Sequence, residues 1–199
     1  MADDPAYVKA LKEFTKSAPR IEDMKAREAE FYGASDRASG ILFGGWVELA
    51  LETAIKSVLR PDLTSTVAKR LLGFEGAVGT FSAKTDLAYA LDIFGPITYH
   101  DINLIRLIRN EFAHCSHPLT FDIPAVGGVC SHFQILDSDQ KTEPFMFVSL
   151  TRAADMLENP ADETNPKNRF ITACHSIVWG LLNFAKREER NEMQKSKLP

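Results

Sequence analysis

The sequence predicts an all-α bundle of six to eight helices, and three observations carry that expectation. Apolar residues recur at three- and four-residue spacing along nearly the whole chain. The periodic runs open on Ser, Thr, Asn or Pro and close on Gly or Pro, the punctuation of helix ends. With 199 residues, 45% of them hydrophobic and 25% charged, the chain suits one domain built around a sizeable core.

Each element follows from its own residues. Residues 5–17 begin with Pro5, favourable in a first helical turn, and set Tyr7, Val8, Leu11 and Phe14 on one side. Pro19 ends that helix, and a charged second helix runs from about Ile21 to Tyr32 before Gly33, so that 1–33 reads as a helical hairpin. Ser35 caps a long third helix to Leu59, stopped by Pro61. Its apolar residues, from Leu42 and Phe43 through Trp46 and Leu51 to Val58, cover more than half the circumference, which calls for burial on two sides. Gly40, Gly44 and Gly45 in that helix permit another helix to approach closely.

A short helix over 63–72 leads into the glycine-rich turn Gly73 to Gly79. Thr80 or Ser82 caps a helix carrying Leu87, Ala90, Leu91 and Phe94, which Gly95-Pro96 terminates. Thr98 with Asp101 resembles a capping box opening a helix over 99–114. Beyond Pro118 the pattern weakens. The helical surroundings favour a helix over Pro124–Leu136, with a hairpin of Phe133–Leu136 and Phe145–Leu150 as the alternative. Asn165-Pro166 is a cap and first-turn pair for a final helix to about Arg187. The expected organisation of 1–199 is thus one helical domain: the hairpin, a core at 35–136, an irregular segment at 137–164, a helix at 165–188 and a charged, fraying tail at 189–199. The helices 35–59, 80–94, 99–114 and 166–187 form its central bundle.

Charge and cysteine usage narrow the classes of function. The 23 basic and 27 acidic residues give a net charge of −4, spread without a basic arm, which disfavours direct sequence-specific DNA binding over a broad face. Cys115, Cys130 and Cys174 are an odd set without framework spacing. The acidic N-terminus lacks the pattern of a signal peptide. Glu48, Glu52 and Lys56, and Asp86 and Asp92, interrupt the apolar stretches, so no membrane span is expected, and the expected location is cytoplasmic.

The most informative segment is Asn103 to His114. At ~100° per residue, Asn103, Arg106, Asn110 and His114 form one polar stripe about 80° wide. Arg109 falls instead between Ile102 and Ile105, at the edge of the apolar arc. A guanidinium there keeps its charge and needs a carboxylate, a phosphate or a path to water. One reading is a structural ion pair with Asp36, Asp86 or Glu48. The other makes Arg109, Asn110 and His114 a single site, since Asn110 and His114 share a face one turn apart.

Arg109-Asn110, three residues, then His114 resembles the Arg–polar–X3–His motif of the HEPN superfamily, helical domains that include metal-independent endoribonucleases. Ser35-Asp36-Arg37, the block Gly79-Thr-Phe-Ser-Ala-Lys-Thr-Asp-Leu-Ala-Tyr-Ala-Leu91 and Ile108-Arg-Asn-Glu-Phe-Ala-His114 together resemble one branch, the mannitol-operon repressor family, over roughly 35–125. The HEPN resemblance implies RNA cleavage in a cleft between two subunits, each supplying the motif, as in an RNA-directed toxin or defence protein. His114 would be general acid or base, Arg109 would hold non-bridging phosphate oxygens, and Asn110 would orient the phosphate or the imidazole. Asp36, Arg37, Asp86 and Arg106 would support them. The repressor resemblance implies a non-catalytic transcriptional regulator working through protein contacts.

Other candidates are weaker. His100 and His117 are substitute imidazoles. His114, Cys115, His117, Cys130 and His132 supply soft ligands, but Cys115-X-His117 and Cys130-X-His132 lack the usual zinc spacing, so neither a metal nor another cofactor is expected. Gly73 to Gly79 lacks the Gly-Lys-Ser/Thr ending of a phosphate loop. Glu48, Glu52 and Lys56, at i, i+4 spacing, read as a solvated stripe with one helpful ion pair, and Trp46 and Trp179 as core. Leu107 and the glycine-lined face of the third helix are the expected surface of a homodimer. RNA and a protein partner are the other candidate partners.

Overall fold

The computed structural model describes residues 5–15, 33–137 and 164–195, and among these helix is the only regular secondary structure, as the sequence predicts. Seven helices follow in order: α1 (Ala6–Thr15), α2 (Asp36–Val58), α3 (Ser65–Leu72), α4 (Phe81–Ala90), α5 (Pro96–His114), α6 (Pro124–Cys130) and α7 (Pro166–Lys195). The expected helix over 21–32, the pairing of 1–33 as a hairpin, the nature of 138–163 and the strand alternative at Phe145–Leu150 all lie outside the described residues.

α2 is the axis of the bundle. It packs along α7 on one side and against α5 and α4 on the other, which satisfies the two-sided burial its apolar breadth demands. Phe43, Trp46, Val47, Ala50, Leu51, Ala54 and Ile55 are buried against Phe170, Cys174, Ile177, Val178 and Leu181 of α7 and Ile105, Ile108 and Phe112 of α5. Trp46 is core, and Trp179 is partly buried against it. Contrary to the expectation from its charges, α2 is long and apolar enough to cross a membrane by length and composition, although 56% of that stretch is buried inside the bundle.

The α2–α5 crossing is close because two glycines lie under it. A Cβ added at Gly40 would meet the Phe112 ring at 2.6 Å, and one at Gly44 would meet Arg109 Cβ at 2.6 Å, whereas Gly45 faces open space. The Gly40–Gly44 face is therefore spent on packing within the chain. It is not the dimer surface expected of it, and the apolar residues left exposed nearby are Leu42 and Leu49 on α2 and Leu107 on α5.

Four helix boundaries differ clearly from expectation. α4 stops at Ala90 rather than at Phe94. Asp92 takes a left-handed conformation with φ 56°, its N–H donates to Tyr89 O at 3.0 Å, and the Ile93 N–H donates to Ala88 O at 3.1 Å. These two bonds close the helix in the pattern usually built on glycine, and Asp tolerates that backbone better than most residues. α5 begins at Pro96, with Gly95 as its N-cap. Thr98 and Asp101 are consequently interior to the helix and buried, so the capping box does not form. α6 ends at Cys130, followed by turns to Asp137. α7 continues to Lys195, past the expected end near Arg187, because no Gly or Pro interrupts a run rich in Lys, Arg, Glu and Met.

The remaining caps agree with the sequence. Ser35 Oγ accepts from Ala38 N at 3.3 Å and Thr80 Oγ1 from Ala83 N at 3.2 Å. Asn165 Oδ1 accepts from Lys167 N at 3.0 Å and Asn168 N at 3.2 Å, directly before Pro166.

Candidate functional site

The site is built on the C-terminal half of α5, with Arg109 on the side that packs on α2 and Asn110 and His114 on the polar stripe beside it. Arg109 leaves α5 above Gly44, and the absence of a side chain there lets its aliphatic stem lie flat on α2. Glu48 follows Gly44 by one helical turn, and the guanidinium reaches toward it. Arg109 Nη2 stands 3.9 Å from Glu48 Oε2, at the outer limit of an ion pair. Arg109 Nη1 donates to Asn110 Oδ1 at 2.9 Å, while Nε is buried with no hydrogen-bond partner among the described residues. The side chain keeps 33% of its surface exposed. This guanidinium is loosely neutralised and open to water.

His114 lies at the last residue of α5, one turn beyond Asn110, with its side chain exposed. The chain around it is fastened from the start of α2. Arg37 Nη1 donates to Phe112 O at 2.8 Å, and Arg37 Nη2 donates to Cys115 O at 2.9 Å and to His117 O at 2.7 Å. A cation thereby satisfies carbonyls that the helix end leaves without intrahelical donors. Asp36 does the complementary work. Its Oδ2 accepts from Phe121 N at 3.0 Å, and its Oδ1 pairs with Lys167 Nζ at 3.0 Å. Asp36 and Arg37 together hold the 115–121 connection against α2 and α7.

The structure separates some of the residues that the sequence groups. Asp36 is engaged with Phe121 and Lys167, so it is not the partner of Arg109. Asp86 accepts from the Tyr99 hydroxyl at 2.8 Å and is likewise occupied elsewhere. Arg106 Nη2 donates to Asn103 Oδ1 at 3.2 Å, a local contact along the polar stripe. His100 Nδ1 pairs with Asp101 Oδ1 at 2.8 Å, away from the Arg109 cluster, and His117 is exposed with its carbonyl on Arg37.

Glu48, Glu52 and Lys56 are not a merely solvated stripe. Lys84, from the middle of the 79–91 block, enters between them with only 7% of its side chain exposed, its Nζ at 3.1 Å from Glu48 Oε1 and 2.9 Å from Glu52 Oε2. Glu52 also takes Lys56 Nζ at 2.6 Å. Burial opposes the Lys84 charge, but the hydrogen bond to Glu52 and the two carboxylates outweigh it, and the pKa is raised. Burial likewise opposes the Glu52 charge, and Lys56 and Lys84 reverse that effect, leaving the carboxyl below its ordinary range. Lys84 was not legible as part of this cluster, because a lysine on a short helix reads as surface. The one available signal is its phase, on the same side of α4 as the buried Phe81, Thr85 and Ala88.

Asp101 is the other residue the sequence misread. Fully buried, its carboxylate accepts from Gln134 N at 3.1 Å and Ile135 N at 2.8 Å, tying α5 to the turns after α6. Burial pushes its pKa up, against the lowering effect of His100 and the two backbone donors. Among the described residues, no three His, Cys, Asp or Glu side chains converge as metal ligands. Cys130 and Cys174 are buried, and desolvation pushes the Cys130 thiol up to about 12.

No protein-family model, curated protein or solved structure matches the chain. Any functional reading rests on the site itself. Chemically, the site offers a cation with unused hydrogen-bonding capacity, an amide that orients it, and an exposed imidazole along the same helix. That combination suits an oxyanion held by the guanidinium fork, with a proton donor or acceptor on the same helix.

Proposed function

We propose that the chain acts on RNA as a metal-independent endoribonuclease of the HEPN type, with Arg109, Asn110 and His114 receiving the scissile phosphodiester. The observation that carries this reading is the state of Arg109: its nearest carboxylate stands 3.9 Å away and a third of the side chain is exposed, so the guanidinium retains capacity for an incoming phosphate. Arg109 would bind the non-bridging oxygens and stabilise the charge that develops on them. Asn110 holds Nη1 and so fixes the plane of the fork. His114 would take the proton from the 2′-hydroxyl as that oxygen attacks phosphorus, or deliver one to the departing 5′-oxygen. The products are a 2′,3′-cyclic phosphate and a 5′-hydroxyl, and no metal enters the balance.

Such a reaction needs both an acid and a base. Leu107, exposed on α5, precedes Asn110 by three residues and His114 by seven, and therefore shares their helical face. A homodimer formed across Leu107 would bring Asn110 and His114 of two copies face to face and supply two imidazoles to one cleft.

The test is cleavage of a mixed-sequence RNA in the presence of EDTA by the wild type, Arg109→Ala and His114→Ala. The expected result is cyclic-phosphate ends with the wild type and a loss of at least about 100-fold with either variant. An uncut RNA, or a His114→Ala protein that cuts as well as the wild type, overturns the reading. The second reading is a non-catalytic regulator of the mannitol-operon repressor type. It is favoured by the net charge of −4 and by the exposed Leu42, Leu49 and Leu107, features of a protein-facing surface, and it stands if RNA is neither cut nor bound.

A further inference from the structure

Three helices meet at the ionic cluster beside Arg109, and the distances within it are unequal. Glu48 presents one oxygen to each of two cations. Its Oε1 is 3.1 Å from Lys84 Nζ, and its Oε2 is 3.9 Å from Arg109 Nη2. Lys84 is itself anchored, because its Nζ also pairs with Glu52 at 2.9 Å and its side chain is almost fully buried. Glu52 is held in turn by Lys56 at 2.6 Å. The carboxylate that could neutralise Arg109 is thus drawn toward a fixed ammonium on α4. Gly44 completes the arrangement by fixing where the Arg109 stem runs, so the guanidinium cannot easily follow Glu48 inward. Arg109, Lys84 and Lys56 face only Glu48 and Glu52 in this cluster, which leaves an excess of one positive charge; Lys56 and Lys84 are paired at 2.6–3.1 Å, and the cation left with its nearest carboxylate at 3.9 Å is Arg109.

We infer that Lys84 is a positioning residue for the phosphate site: by retaining Glu48 it keeps that carboxylate off Arg109 and leaves the guanidinium free to bind a phosphodiester. Glu48 is then the built-in competitor of the substrate, an internal anion that occupies Arg109 when Lys84 releases it. The inference rests on the reading of Arg109 as a phosphate ligand and adds how its availability is set. A nearby ammonium would also attract an anion through its field alone, and the two effects separate in a double-variant cycle. If Lys84 works through Glu48, its removal has no effect once position 48 carries no charge. If it works through its field, its removal weakens binding by the same factor in either background.

The experiment measures binding of a fluorescently labelled, uncleavable 12-nucleotide 2′-O-methyl RNA by anisotropy, using the full chain at low salt. The variants are Arg109→Ala, Lys84→Met, Lys84→Arg, Glu48→Gln and Lys84→Met with Glu48→Gln, each checked for a wild-type melting profile. Expected are a loss of at least tenfold for Arg109→Ala, a loss of about tenfold for Lys84→Met, near-wild-type affinity for Lys84→Arg, and a gain of threefold or more for Glu48→Gln. The double variant should match Glu48→Gln. Wild-type affinity in Lys84→Met, or a double variant weakened as much as the single one, overturns the inference while leaving Arg109 as a phosphate ligand. Wild-type affinity in Arg109→Ala overturns the phosphate reading itself. Should Lys84→Met lose its fold, the Glu48→Gln arm decides: unchanged or weaker binding there rejects Glu48 as a competitor, and with it the role of Lys84.

Discussion

The Arg109 side chain lies directly across Gly44, so close that a Cβ at position 44 would come within 2.6 Å of Arg109 Cβ. A glycine in the middle of a 23-residue helix carries an intrinsic cost, and here that cost secures the path of the one cation the proposed site depends on.

Gly44 and its neighbour Gly45 should therefore respond oppositely to the same substitution. Gly45→Ala meets nothing within 4 Å, so only helix propensity acts, and the protein should gain about 0.5–1 kcal/mol. In Gly44→Ala the same gain is outweighed by overpacking against Arg109, for a net loss of about 1–2 kcal/mol. Urea denaturation of both variants checks the pair. A stabilised Gly44→Ala protein would show that the crossing is looser than described.

Arg37 should be more important to stability than a partly exposed arginine usually is. Arg37→Met removes the donors to Phe112, Cys115 and His117 carbonyls, with an expected loss of about 2 kcal/mol. Because Asp36 beside it holds the Phe121 amide, freeing 115–121 should also speed hydrogen exchange at Phe121. A wild-type urea midpoint together with unchanged exchange there would refute the clamp.

Folding stability should fall in mild acid through His175. The imidazole is buried between Phe43, at 5.3 Å between ring centroids, and Trp46, at 5.4 Å, and burial lowers its pKa from 6.5 to about 4. The unfolded chain therefore takes up this proton first. Stability carries no penalty from His175 above about pH 7 and falls as the pH drops from 6.5 toward 4, the loss reaching on the order of 3 kcal/mol at the lower end. Stability measured against pH for the wild type and His175→Phe should diverge across that window. Parallel curves would place the acid sensitivity elsewhere.

The proposed dimer makes Leu107 the residue to test. With 45% of its surface exposed on the face of Asn110 and His114, Leu107→Glu should convert a dimer at micromolar concentration to a monomer in sedimentation velocity, with an unchanged helical spectrum. A wild-type chain that sediments as a monomer removes the two-copy cleft.

How much of this was legible beforehand depends on the range of the interaction. Ser35, Thr80 and Asn165 cap the helices assigned to them because a cap is settled within three residues of chain. The three glycines of α2 signal a close crossing, but a sequence alone does not say which of them faces it. Gly40 and Gly44 do, whereas Gly45 does not. Thr98 and Asp101 have the spacing of a capping box, yet Pro96 starts the helix a turn earlier and the buried carboxylate serves the distant Gln134 and Ile135 amides. Local pattern cannot reveal a partner 33 residues away.

Helical period, caps and apolar arcs were enough to specify an all-helical chain with a two-sided central helix, because hydrophobic burial and backbone hydrogen bonding are decided by spacing along one segment. The pairing of charges was not. Which carboxylate meets Arg109, why Asp36 serves Phe121 and Lys167 instead, and how Lys84 comes to lie between Glu48 and Glu52 depend on the angles at which α2, α4, α5 and α7 cross. Electrostatic partners are chosen by distance through space, and only the assembled bundle sets those distances.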